Sequence, residues 1–226
     1  MDKADAKEAA PIVQRVLANL IKTVPSSGRA GADARAHISD TSVKAYPLLR
    51  DDTIADPLIE CFDLALASGA TWAGIDTVRC EIADEQEDDP PTTLGARMMM
   101  GVCVGLCFAA EGTIIAGLTF NSRQDVERVK STIQKPFNDA EETAADAMDQ
   151  ATYMALVELH AAIINFLVVT ARPLPRMLNY QFSTPYPSLV LAYRLYDTAE
   201  RADELRDENK IVHPAFCPRE GAALSA

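Results

Sequence analysis

The residues able to do chemistry in this sequence are few and scattered. The three histidines, His37, His160 and His213, are far apart in the chain, and no pair has the spacing of a zinc site. His37 falls in a stretch of low complexity. His160 lies on an apolar helical stripe, where a histidine is ordinarily a satisfied core or interface residue, and His213 directly precedes Pro214 in a closing loop. The five cysteines, Cys61, Cys80, Cys103, Cys107 and Cys217, form an odd, loosely spaced set. Cys103 and Cys107 stand one helical turn apart, so their thiols would reach a common point. Two thiols alone do not make a metal site, and free cysteine is among the most buried residue types. Asp203, Glu204, Asp207 and Glu208 would offer the paired carboxylates of a glycosidase. They alternate with Arg201, Arg206 and Lys210, and ion pairing along an exposed helix is the simpler account. The Ser26–Gly31 segment, SSGRAG, lacks the Lys-Ser or Lys-Thr end of a phosphate loop, and no Gly-x-Ser-x-Gly elbow occurs. The sequence therefore carries no expected catalytic, cofactor or metal residue, and we read it as a non-enzyme.

Bulk properties narrow the class further. With 226 residues and 48% hydrophobic content, the chain can fill a core, and its apolar residues lean on the helix formers Ala, Leu and Met. The net charge of −12 is uneven: residues 51–158 hold six Lys or Arg against twenty-one Asp or Glu, while residues 1–50 hold eight against five. A nucleic-acid surface needs clustered positive charge, and the few extra cations near the N-terminus are dispersed, so no nucleic-acid role is expected. The opening MDKADAKEAA has no apolar segment suited to export, and reduced cysteines in a cytosolic product follow. The stretch Met98–Ala110 is uncharged for thirteen residues, short of a membrane span. It reads as a buried core helix, with no membrane partner.

Periodicity supplies the elements. Ile12, Val16, Leu20 and Val24 recur every four residues and predict a helix over 8–24, ended by Pro25-Ser26-Ser27-Gly28. A loop is expected to about Asp40, making residues 1–44 a helix with a flexible arm. Helices are expected over 53–68, 70–83 and 93–118, the first two stopped by Gly69 and by an acidic, Pro-rich linker at 84–92. Gly101 and Gly105 share a face that would admit another helix closely. Ser122 with Asp125 forms a variant capping box for a helix over 122–136, which Pro136 would close. The longest pattern, 138–171, is apolar nearly all round from Leu159 to Val169, as in a helix buried on most sides or lying between subunits. Residues 45–172 thus form a helical, bundle-like domain. From residue 173 the character changes: strand 177–182, helix 188–196, helix 201–209 and a closing extended segment 211–217 make a small β-α-α-β module to residue 226.

Certain words in the C-terminal half carry a likeness. They are Leu118-Thr119-Phe120 with Ser122-Arg123, then Leu174-Pro175-Arg176, then Ser188-Leu189-Val190-Leu191-Ala192-Tyr193-Arg194-Leu195-Tyr196. Arg201-Ala202-Asp203-Glu204-Leu205 follows, with Asn209, Ile211, His213-Pro214 and Phe216. In this order they resemble the C-terminal region of the DNA-circularisation, or tail and baseplate, protein family of Mu-like bacteriophages. The family's usual N-terminal domain has no counterpart here. The tail is also similar to a LysM module at Leu178-Asn179-Tyr180, Pro187-Ser188-Leu189, Ala202-Asp203-Glu204-Leu205 and Asn209-Lys210-Ile211. Tyr186-Pro187-Ser188 stands where such modules have Gly-Asp-Thr. The resemblance implies a structural component of a contractile tail baseplate or hub. It would be found in the virion and, before assembly, in the host cytoplasm. Its implied partners are other tail, tube and hub proteins and further copies of itself. Peptidoglycan binding through the LysM-like module, and DNA binding or circularisation, are the alternatives that the resemblance carries.

Overall fold

The computed structural model describes residues 1–225. The chain is mainly helical and ends in a small β-α-α-β element. It divides into two compact units. The first comprises residues 1–118 with 135–163, and the second residues 119–134 with 164 onward.

The first unit is built around α1 (Lys3–Thr23), which packs against α2 (Arg29–Val43), α3 (Ala45–Arg50), α4 (Ala55–Ala67), α5 (Trp72–Asp88) and α6 (Leu94–Ala116). Ala6, Ala9, Val13, Val16, Leu17 and Leu20 of α1 are buried. The opening helix is therefore core. The segment expected as a loop is α2. Its buried side is narrow, consisting of Gly31, Ala34, Ile38 and Thr41, so only one large apolar residue marks it in the sequence. Gly28, with φ +92°, turns the chain into it.

The acidic stretch also differs from expectation. Helix α5 runs through Asp88, leaving only the following few residues as a turn. Arg15 pairs with Glu85. Glu8 accepts hydrogen bonds from the backbone N–H groups of Thr92 (2.7 Å) and Thr93 (2.8 Å), and from Thr92 Oγ1 (2.8 Å). The linker is thus held to α1 from both ends. Thr93 then caps α6 through the N–H of Ala96.

Pro136 does not close a helix. α7 runs unbroken over Arg123–Asp146, and the break falls at residues 147–149, ahead of α8 (Gln150–Ala171). The local bonds explain it. Met148 adopts φ +55°, its N–H bonds Ala145 O, and Asp149 N–H bonds Ala144 O, the two bonds of a Schellman stop. Asp149 at once caps α8 by accepting from Thr152 N and Oγ1. The start of α7 is as expected, with Ser122 and Asp125 exchanging backbone and side-chain hydrogen bonds in a reciprocal box.

In the second unit β1 (Met177–Gln181) and β2 (Glu220–Leu224) pair antiparallel, Met177 opposite Leu224 and Gln181 opposite Glu220. Helices α9 (Ser188–Tyr196) and α10 (Ala202–Glu208) lie between them in sequence. The second strand is not at 211–217 as expected. Pro214 interrupts that stretch and Pro218 follows it, and neither can donate to a ladder, so the small residues beyond take the pairing. Tyr180, Leu191, Leu205, Cys217 and Ala223 form the core. Asn209 fastens β2 by donating to Ala222 O (2.7 Å) and accepting from Ala222 N (2.8 Å). The start of α7 belongs to this unit: Arg123 donates to Leu174 O and Arg172 O, and Gln124 exchanges two bonds with Met177.

Candidate interaction surfaces and a buried charge cluster

Within the first unit, α5 and α7 form two walls over α6, with the first turns of α8 closing one end. The cavity they enclose has a volume of about 540 Å³. Its apolar surface comes from Leu94, Met98 and Val104, with Phe108 and Leu156 buried beneath them. Leu94 and Met98 are 64% and 44% exposed, unusual for large apolar side chains in a concave site. Asp84 and Glu87 stand on one wall and Asp139 on the other. Arg97 and Lys135 are the rim cations, and Lys135 is paired with Asp139 at 3.6 Å.

Behind the cavity lies a charge cluster that as a whole has no spacing signature in the sequence. Arg79 is 9% exposed, donates from Nε to Glu111 Oε1 at 3.1 Å, and pairs through Nη2 with Asp76. Burial pushes the Glu111 carboxyl up to about 7, against the opposing pull of Arg79. The Arg79 guanidinium faces the Phe108 ring at 5.1 Å, Phe108 stacks on Phe137 at 4.0 Å, and Phe137 stacks on the His160 ring at 4.6 Å. His160 Nδ1 ends the column 2.8 Å from Glu141 Oε1. A signal for Arg79 was present: it falls four residues after Ile75 and three before Ile82, on the apolar stripe of its helix. Glu111 is the lone acid inside an apolar helix, directly after the uncharged Met98–Ala110 run.

The histidines, the Cys103–Cys107 pair and the α10 carboxylates do not converge. Cys103 and Cys107 are both fully buried, and burial raises Cys103 to about 12 and Cys107 well up, so both are neutral thiols. His37 lies on α2 near Glu60, at 3.5 Å, and His213 Nδ1 accepts from Ala215 N. Arg201 pairs with Glu204, and Arg206 with Asp203, each at 2.7 Å, the surface pairing expected of that helix. Among the described residues no group of three His, Cys, Asp or Glu is placed to hold a metal ion.

Two further surfaces are apolar. Helix α8 buries Leu156, Ile163 and Leu167 but exposes Met154, Phe166, Val168 and Val169. Only 17% of its most apolar window is buried, against 50% for α6. Both helices are long and apolar enough to cross a membrane, by length and composition alone. In the second unit Leu189, Val190, Tyr193, Val212 and Phe216 are exposed. Among known proteins, no family model matches the sequence and no curated protein aligns significantly with it.

Proposed function

We propose that the chain is a non-catalytic structural component of a contractile phage tail, at the baseplate or hub. There it joins tube and hub proteins by protein–protein contacts and assembles with further copies of itself. The observation that carries the reading is α8, an apolar helix whose outward face is unpartnered in the single chain. Apolar area of that kind is a driving force for association at roughly 25 cal/mol per Å² covered. Closed symmetry keeps such contacts from extending into fibres. The family resemblance in residues 94–219 supplies the setting.

We read the β-α-α-β unit as a LysM-like connector. Its element order agrees with that reading. Tyr186, at the position that departs from sugar-binding modules, is engaged by its own unit: Arg194 donates to its hydroxyl at 3.0 Å and stacks over its ring at 4.3 Å. The exposed neighbours Leu189, Val190 and Tyr193 are suited to apolar contact rather than to hydrogen bonding a polysaccharide.

Purified tails of the encoding phage test this. The chain is expected as a stoichiometric tail component by mass spectrometry. Val168→Asp with Val169→Asp, at exposed positions, is expected to fold normally and to stay out of tails. Absence of the wild-type chain from tails, or normal entry of the double variant, would overturn the reading. So would retention on purified peptidoglycan without incorporation into particles.

A further inference from the structure

The geometry points to the α5–α6–α7 groove of the first unit as a docking site for a basic amphipathic helix of a partner protein, whose apolar face would rest on Leu94, Met98 and Val104 while its cations meet Asp84 and Glu87. Three observations carry this. First, the groove is concave and apolar at its floor, yet Leu94 and Met98 remain exposed, so a surface complementary to them is missing from the chain itself. Its volume of about 540 Å³ accommodates about three large side chains, one apolar face of two helical turns. Secondly, the charge selects the partner. The first unit holds 11 Lys or Arg against 24 Asp or Glu, a net −13, whereas the second unit holds 10 against 9. Asp84 and Glu87 are exposed and make no ion pair among the described residues, and Asp88 and Asp89 continue the same edge. The one buried cation of the groove, Arg79, is already matched by Asp76 and Glu111. An acidic helix would meet two uncompensated like charges, Asp84 and Glu87, whereas a basic one would meet only the rim cation Arg97, and the acidic edge outweighs it. Thirdly, a flexible Met98 side chain beside Leu94 and Val104 suits a helix face better than a rigid small ligand. The inference does not depend on a virion setting.

Cys80 provides a local reporter. It lines the groove and is exposed, whereas Cys61, Cys103, Cys107 and Cys217 are buried. The probe is an 18-residue Leu/Lys amphipathic helix added to the intact chain, with the alkylation rate of Cys80 by N-ethylmaleimide followed by mass spectrometry. A Leu/Glu helix of the same pattern and a Lys/Ser peptide of the same charge are the comparisons. The Leu/Lys helix is expected to slow Cys80 alkylation about ten-fold at saturation, since a docked helix excludes solvent from its contact face. The two comparison peptides are expected to leave the rate unchanged. Asp84→Lys with Glu87→Lys should weaken the protection about ten-fold or more, with the effect of salt diminished. Lysine near the C-terminal end of α5 favours the helix dipole, so these variants keep the fold. Asp33→Lys with Asp63→Lys makes the same change in net charge on exposed positions elsewhere in the unit and should bind as wild type. Equal weakening in both double variants would reduce the effect to general attraction and overturn the site. So would equal protection by the Leu/Glu helix, or an unchanged Cys80 rate with every peptide. Protection by neutral phosphatidylcholine vesicles, with none by the Leu/Lys helix, would also overturn it and assign the groove to lipid.

Discussion

At the scale of single residues, the buried Glu111 has the clearest physical consequence. Its carboxyl is pushed up to about 7 in the folded chain from the ordinary 4.5 of a free glutamate, because burial disfavours the charged form. The folded state therefore holds a proton that the unfolded state releases between those values. Stability from this group is fully present below about pH 4.5 and is lost as pH rises through about 7. At about 1.4 kcal/mol per pKa unit, the loss across that window is roughly 3 kcal/mol. Glu111→Gln removes the titration while keeping a hydrogen-bond acceptor for Arg79. Urea unfolding at pH 5 and pH 8 should show a smaller difference in this variant than in wild type, and equal differences would refute the assignment. Phe137, fully buried between Phe108 and His160, is the middle of the stacked column. Phe137→Ala should cost about 3–5 kcal/mol in the same experiment. Neither role was legible from the sequence. Phe137 sits beside Pro136, which suggested a helix end, and a stack of four side chains from four helices has no signature in spacing.

Helix contacts decide which sequence features matter at the scale of elements. Of the two α6 glycines expected to admit a neighbour, Gly101 does so, since a Cβ there would lie 3.3 Å from Thr152 Cγ2. Gly105 meets nothing within 4 Å, and the tighter approach is at Gly112, where a Cβ would lie 2.9 Å from Ile163 Cδ1. Gly105→Ala should therefore stabilise by about 1 kcal/mol through helix propensity. Gly112→Ala should gain less or destabilise, because Ile163 must shift. Thermal melts of the two variants compare them directly, and equal gains would contradict the packing. Met148 offers a second test. It holds φ +55° at an exposed helix stop, so Met148→Gly should stabilise by about 1 kcal/mol. The turn after α5 depends on Glu8, whose carboxyl is lowered to about 2 by the hydroxyl and backbone N–H groups of Thr93 and Thr92. Glu8→Ala should speed cleavage at Asp88 and Asp89 by an acid-specific endoproteinase, while cleavage elsewhere stays as in wild type. Unchanged cleavage would show that the clamp does not order the turn.

For the whole molecule, charge is the property with a direct experimental reading. The first unit carries net −13 and the second +1, so the deficit of cations is confined to one part of the chain. Polyanion binding needs several clustered Lys or Arg to release counterions. A gel-shift assay with duplex DNA at physiological salt should show no retention at micromolar protein. Retention that weakens steeply with salt would contradict this and revive a role in DNA circularisation.

Local patterning alone fixed most element types. The spacing of Ile54, Leu58 and Leu66, of Ile75, Val78 and Ile82, and the Ser122–Asp125 box mark helices because each depends on residues within one or two turns. The order β-α-α-β in the tail was legible for the same reason. The position of the second strand was not, since pairing with Met177–Gln181 is chosen across about forty residues and prolines merely exclude one candidate. Helix α2 escaped notice because a helix covered by small side chains needs little apolar periodicity. The fate of α1 was likewise a tertiary matter: its broad apolar face looks the same in sequence whether it docks on α6 or on another protein. Helix α8 gives the converse case, apolar all round in sequence yet largely uncovered in the single chain. A sequence specifies how much apolar surface an element has. Only the folded chain determines how much of it the remaining elements can reach, because that depends on which distant residues arrive at the same place.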